Sequence, residues 1–171
     1  FQFHEFQNTQ LRIMRASFTG EMGYEIYVPS NSALKIWEQI QEAGKKFGLT
    51  PYGTETMHLL RAEKGYIIIG QDTDGSITPI DLGLNWMIGK TKTDFLGKRS
   101  LTRSDTVRPD RKQLVGILPL NKEDSLEEGQ HILLNESLQT PVPMLGHITS
   151  SYHSPIMGHT FGLAVIKDGR S

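Results

Sequence analysis

Glu25 is the residue of this chain whose surroundings most invite chemistry. It stands in Tyr24-Glu-Ile-Tyr-Val28, directly after the double-glycine segment Thr19-Gly-Glu-Met-Gly23. Two-residue alternation puts Glu25 and Tyr27 on one face of a strand, and Tyr24 and Ile26 on the other. A carboxylate in a sheet rich in apolar residues is costly to bury without a partner. One such partner is a heterocycle with adjacent N–H donors, such as a pterin or guanine edge, because a carboxylate accepts two donors side by side. The other is a cross-strand ion pair with Arg12 or Arg15, and the residue types alone favour that plainer pairing.

The remaining reactive side chains read as structural. Arg61 and Glu63 are two apart on a predicted helix and so face different ways, which suits helix-end ion pairs. Asp72, Asp74 and Asp81 fall in or near a glycine-containing loop beside Gln71. That loop lacks the order of an EF-hand and its terminal Glu, so these aspartates are expected to form turns. His147, His153 and His159 are separated by steps of six, a spacing that matches no common zinc-ligand pattern. With no cysteine in the chain, thiol nucleophiles, disulfides and thiolate metal sites drop out. No phosphate-binding glycine loop, H-E-x-x-H or G-x-S-x-G pattern occurs either. No catalytic residue and no metal ligand is therefore assigned.

Local patterning supplies the elements that must hold Glu25. The alternating runs 12–18 and 24–28 around the glycine turn predict a β-hairpin. Ser30-Asn-Ser32 then offers a helix start, and Ala33, Leu34, Trp37, Ile40, Ala43 and Phe47 recur at helical spacing up to Gly48, predicting a helix over 32–47. A second helix is expected over 54–64, between Gly53 and Gly65, with Met57, Leu60 and Leu59 inward. Strands are predicted at 66–70 and 85–88, and a short helix capped by Asp94 over 94–101. The polar stretch 102–111 reads as a linker. Beyond it, strand-like runs at 112–118, 130–134, 145–151 and 161–166 with no helical pattern between them predict a small antiparallel β-sandwich or β-barrel, and the barrel is the expected form. The expected architecture is α+β over residues 1–103 followed by an all-β domain over 112–171.

Composition narrows the partners. A formal net charge of −1 over 171 residues provides no basic footprint for nucleic acid and no polybasic stripe for a membrane. The longest apolar run, Tyr66-Ile-Ile-Ile69, falls far short of the ~20 residues that span a bilayer. Absence of cysteine suits a reducing compartment, and the expected location is cytoplasmic. The chain opens on Phe1 rather than Met and lacks a signal-peptide pattern, and both ends read as cut from something longer.

Six stretches, taken together and in order, resemble the aminomethyltransferase family, which includes the folate-binding T-protein of glycine cleavage. They are Phe18-Thr-Gly-Glu-Met-Gly-Tyr-Glu-Ile-Tyr-Val-Pro29, Leu60-Arg-Ala-Glu-Lys-Gly65, Gly70-Gln-Asp-Thr-Asp-Gly-Ser-Ile-Thr-Pro79, Asp94-Phe-Leu-Gly-Lys-Arg-Ser-Leu101, Leu114-Val-Gly116 and Gly146-His-Ile-Thr-Ser-Ser-Tyr-His-Ser-Pro155. Within that family, Arg61-Ala-Glu-Lys-Gly-Tyr-Ile67, Gln71-Asp-Thr-Asp-Gly75 and Arg111-Lys-Gln-Leu-Val-Gly116 are similar to the C-terminal part of the α subunit of heterotetrameric sarcosine oxidase.

The resemblance implies a chemistry. In those oxidases a flavin oxidises the N-methyl amine of sarcosine to an iminium, and the folate module passes the one-carbon unit to tetrahydrofolate. Flavin and NAD would belong to other parts of the complex, and the other oxidase subunits would be partners. The family's folate-contacting glutamate falls on Glu25, with Tyr24 as its neighbour in the site. Two departures follow. Met57 stands where aminomethyltransferases carry a folate-contacting arginine, and the family's catalytic aspartate belongs to an N-terminal region outside this chain. The isolated chain is accordingly expected to bind folate weakly or not at all and to turn nothing over. Two alternatives are a fragment of a true aminomethyltransferase and a non-catalytic subunit-docking module of the same fold.

Overall fold

Gln7 and Asn8 both adopt left-handed backbone angles, with φ of 49° and 62°, and fold β1 (Gln2–Phe6) back onto β2 (Thr9–Met14). Positive φ at both central residues is the geometry that two-residue hairpin loops favour. In this computed structural model, which describes residues 2–136 and 140–170, the chain gathers into two units, Phe1–Tyr66 and Ile67–Ser171.

In the first unit, β2 also pairs antiparallel with β3 (Glu25–Tyr27), giving the sheet order β1-β2-β3. The predicted hairpin is present, with shorter strands than its alternation suggested. β1 escaped the sequence reading because its partner lies in the run already assigned to the hairpin. The register sets Phe3, Arg12 and Tyr27 in one row across the three strands, and Gln2, Ile13 and Ile26 in the next.

The first helix, α1 (Ala33–Gly44), is flanked by single 3-10 turns at Ser30–Ser32 and Lys45–Phe47 and ends at Gly48. Leu11, Ile13 and Ile26 of the sheet and Ile36, Ile40 and Ala43 of α1 line one apolar cleft of about 380 Å³. Burial corrects the helix face expected from spacing. Ile36 is buried, whereas Leu34, Trp37 and Phe47 are exposed, because α1 carries apolar residues on two sides and the sheet selects the 36/40/43 stripe. The second helix, α2 (Thr54–Glu63), is close to its predicted bounds, but its buried residues are Arg61 and Ala62. Fully buried Arg61 donates from Nη1 to Tyr66 O at 3.0 Å, while Tyr66 N donates to Arg61 O at 2.9 Å. The side chain and backbone of one arginine thus close the helix end.

Three predicted elements in the second unit are replaced by tighter local structure. Residues 66–70 form no strand: Ile68 N donates to Asp72 Oδ2, and both Gln71 N and Asp72 N donate to Ile68 O. A turn that uses these groups leaves none for a ladder. Asn85–Met87 is a 3-10 turn rather than a strand, held by Met87 N to Leu84 O and Ile88 N to Asn85 O. The short helix expected over 94–101 is a 3-10 segment at Lys98–Thr102. Asp94 Oδ1 accepts from the adjacent Phe95 N but caps no helix, because Gly97, in a left-handed step at φ 93°, stands at the start of the helical turn and no side chain caps it.

The strands of the all-β part appear within a few residues of their predicted places: β4 (Lys112–Ile117), β5 (His131–Leu133), β6 (Met144–Ser154) and β7 (His159–Lys167). They form an antiparallel sheet in the order β4-β7-β6-β5, with Ile148, Phe161, Leu163, Ala164 and Val165 buried. A register shift between Ile148 and Ser150, against Ala164 and Leu163, makes Thr149 the extra residue of a β-bulge.

The polar 102–111 stretch lies in the second unit and is anchored at its end. Arg111 Nε donates to both carboxylate oxygens of Asp81 at 2.9 and 3.0 Å, and its Nη2 to Oδ2 at 2.6 Å. Thr78 N and Oγ1 each add a bond to Oδ2 at 2.8 Å. Arg111 also donates to Asp105 O and Ser76 O. The Asp81 carbonyl accepts from Leu114 N and Arg170 Nη2. One buried aspartate therefore ties the 76–81 turn to the 105–111 segment, the start of β4 and Arg170.

Candidate functional site

Glu25 opens β3 and is exposed. Because Ile26 points into the cleft beneath α1, alternation turns Glu25 and Tyr27 to the opposite, open face of the sheet. The Tyr27 hydroxyl donates to Glu25 Oε2. Met14 is the residue directly across from Glu25, and Arg12 is across from Tyr27. Arg12 stands between two aromatic neighbours, its guanidinium 5.4 Å from the Phe3 ring centre and 5.7 Å from that of Tyr27, within cation–π range. The hydrogen bond to Glu25 raises the Tyr27 phenol above the usual tyrosine value. Partial desolvation and the Glu25 charge add to that rise, and the Arg12 charge opposes it. Tyr24 immediately precedes the strand and is exposed. Tyr27 is thus the residue the site reading passed over, although its i+2 position relative to Glu25 was the available signal.

The motif around Glu25 divides its work. Gly20 has φ 83°, and a Cβ there would come within 2.7 Å of the Lys64 side chain. Glu21 Oε1 pairs with Lys64 Nζ at 2.6 Å, and Phe18 stacks obliquely on His58 with ring centres 6.0 Å apart. Residues 18–21 therefore dock the turn on the end of α2, leaving Glu25 as the motif's outward carboxylate. Met57 lies one helical turn before Arg61 and is half-buried.

A second polar cluster joins two of the sequence stretches singled out above. Asp72, only 1% exposed, accepts from Ile68 N at 2.9 Å through Oδ2. Its Oδ1 accepts from Thr149 Oγ1 and Ser150 Oγ, both at 2.6 Å. In a regular strand, neighbours 149 and 150 would face opposite ways; the bulge lets both hydroxyls converge on one carboxylate oxygen. Gln71 Nε2 adds bonds to Ser150 Oγ at 3.1 Å and Glu128 Oε2 at 3.1 Å. The Asp72→Asn variant keeps the shape but sets an amide NH2 against either the Ile68 N–H or the two hydroxyls. It is expected to lower stability by about 1–3 kcal/mol, the cost of a buried unsatisfied polar group. Urea denaturation checks this, and an unchanged midpoint with an unchanged slope would refute the clamp.

The other candidates take turn and strand roles. Asp74 accepts from Ser76 Oγ, Ser76 N and Ile77 N, and these bonds, led by the Ser76 hydroxyl, hold its carboxyl below the usual value. Asp81 is the structural hub already described. His147 pairs across the sheet with His131, and His153 with Thr160. Among the described residues no group of three or more His, Cys, Asp or Glu side chains is placed to hold a metal ion. No helix among them is long and apolar enough to cross a membrane.

Known proteins bear directly on this arrangement. Residues 1–92 match the model of the GCVT N-terminal domain, and residues 112–171 that of the glycine cleavage T-protein C-terminal barrel domain. The chain is 52% identical over its whole length to the sarcosine oxidase subunit alpha of Corynebacterium sp. (strain P-1), covering 18% of that protein. It is 42% identical to the subunit alpha of Rhizobium meliloti (strain 1021) over 93% of the chain and 16% of the relative. The aminomethyltransferase of Halothermothrix orenii is 32% identical over 94% of the chain and 43% of its own length. The chain thus spans less than a fifth of the sarcosine oxidase subunits that it matches. An α+β domain followed by a C-terminal barrel domain is the architecture of these matches, and the chain belongs to the glycine cleavage T-protein family.

Proposed function

We propose that these 171 residues are a tetrahydrofolate-binding, C-terminal portion of a sarcosine oxidase α-like polypeptide. The parent complex would demethylate sarcosine oxidatively in the cytoplasm and transfer the one-carbon unit to tetrahydrofolate. The observation that carries this reading is Glu25, the outward carboxylate of Thr19-Gly-Glu-Met-Gly-Tyr-Glu25, held by Tyr27 on an open sheet face. A carboxylate has about four lone-pair positions, so one bond from Tyr27 leaves both oxygens able to accept from a pterin's paired N–H groups. Bound tetrahydrofolate supplies the one-carbon acceptor chemistry; Glu25 would bind and orient it, with Tyr24 beside it. The division into a folate-binding domain over 1–103 and a barrel domain over 112–171 belongs to the same reading. So do flavin and NAD sites in other parts of the complex, and contacts with its other subunits.

Calorimetric titration of the full-length polypeptide with tetrahydrofolate tests the proposal. The isolated chain is expected to bind folate weakly or not at all and to transfer no one-carbon unit. Turnover by these residues alone would overturn the claim that the catalytic group lies outside them. A second reading, a subunit-docking module, draws on an apolar groove of about 670 Å³ lined in part by Ile69, Leu82, Met87, Phe95 and Leu96. Ile69, Met87 and Leu96 are strongly exposed there, and apolar surface of that kind marks interaction sites. Absence of folate binding by the full-length polypeptide would favour it.

A further inference from the structure

We propose that Tyr27 is a positioning residue for the ligand of Glu25, acting through the carboxylate rather than touching the ligand's recognition edge. This inference rests on the reading of Glu25 as the folate-binding carboxylate. Glu25 is an exposed side chain at a strand end, and an unrestrained glutamate would lose rotamer freedom each time it bound a flat donor pair. Tyr27 removes part of that freedom beforehand. Its hydroxyl donates to Oε2 from two residues along the same strand face, so the carboxylate plane is set before any ligand arrives. Preorganisation of this kind appears as affinity.

The ring that delivers the hydroxyl is itself held. Phe3, Arg12 and Tyr27 occupy one register row across the three strands, and the Arg12 guanidinium lies near both rings. The row Phe3–Arg12–Tyr27 steadies the phenol, the phenol steadies Glu25, and Glu25 faces outward. The chain of contacts runs across the sheet and uses no residue of the Thr19–Gly23 turn. The bond to Glu25 also shifts the phenol's pKa upward, which favours its protonated, donating form.

A double-mutant cycle in the full-length polypeptide separates this role from a merely structural one. Tyr27→Phe keeps the ring beside Arg12 and removes only the hydroxyl. It is expected to weaken tetrahydrofolate binding about fivefold, the scale of one hydrogen bond, with the melting temperature unchanged. In a Glu25→Gln background the same substitution should have almost no further effect, because the group it acts on has been changed. Equal losses in both backgrounds, or no loss beside wild-type Glu25, would overturn the proposal. If Glu25→Gln alone leaves affinity unchanged, the folate reading of Glu25 fails and this inference with it. A normal loss for Glu25→Gln with none for Tyr27→Phe defeats the positioning role alone. NMR titration of the Tyr27 phenol in the ligand-free protein provides a second readout. Its midpoint should fall in Glu25→Gln, and an unmoved midpoint also counts against the contact.

Discussion

Glu25→Ala weakens tetrahydrofolate binding by the full-length polypeptide by about a hundredfold. Hydrogen bonds to a charged acceptor contribute about 1.5–3 kcal/mol, and a paired N–H edge makes two of them to one carboxylate. A loss near 3 kcal/mol corresponds to about two factors of ten in affinity. Exposure of Glu25 makes the experiment clean. An exposed side chain away from the core is removed with a stability change within about 0.5 kcal/mol, so the melting temperature serves as an internal control. Affinity within a factor of two of wild type, measured by calorimetry, would place the pterin elsewhere on the molecule.

Asp81→Ala has the largest expected effect on stability. The Asp81 side chain is 5% exposed and that of Arg111 13%. Truncating one partner of such a buried pair leaves the other charge without its counter-ion, at a cost of about 3–5 kcal/mol. Here the loss also strands Thr78 N and Oγ1, which donate to the same carboxylate. Urea denaturation near neutral pH, followed by circular dichroism, measures it; a loss below about 1 kcal/mol would refute the hub.

The same pair predicts an acid limb. Burial alone would raise the Asp81 carboxyl, but the hydrogen bonds and charge of Arg111, together with the bonds from Thr78, outweigh it and hold the group below its usual value. A depressed carboxylate binds fewer protons folded than unfolded, so its contribution is fully present above the unfolded value of about 3.9. It is lost as pH falls through the lower folded value. Asp81→Asn should therefore reduce stability at neutral pH and flatten its decline on acidification. A variant as acid-sensitive as wild type would assign that limb to other carboxylates.

Much of the fold could be read locally. Residues 33–44 and 54–63 carry helical spacing between capping and glycine signals, and the strand-like runs after residue 111 alternate or cluster between turn residues. Such patterns depend on neighbours within one or two turns of chain, which a sequence displays directly. Tyr66-Ile-Ile-Ile69 misled for the opposite reason. A short apolar run has no period of its own, and what decides its conformation is Asp72 capturing Ile68 N. The two-sided apolar pattern of α1 likewise left open which stripe the sheet would cover.

The sequence by itself determined the family pattern, the presence of both helices and the β-rich second part, and the placement of Glu25 and Tyr27 on one strand face. Tertiary structure alone decided what those residues do. Arg111 reaches Asp81 across 30 positions, and Thr149 and Ser150 reach Asp72 across 77 and 78. A one-residue bulge aims both hydroxyls at the same oxygen. Pairings over such separations leave no local periodicity, because they are selected by the free energy of burying a charge beside its partner. Glu25 shows both halves of the rule: alternation along the strand chose its face, and the cross-strand row through Arg12 and Phe3 holds the tyrosine that orients it.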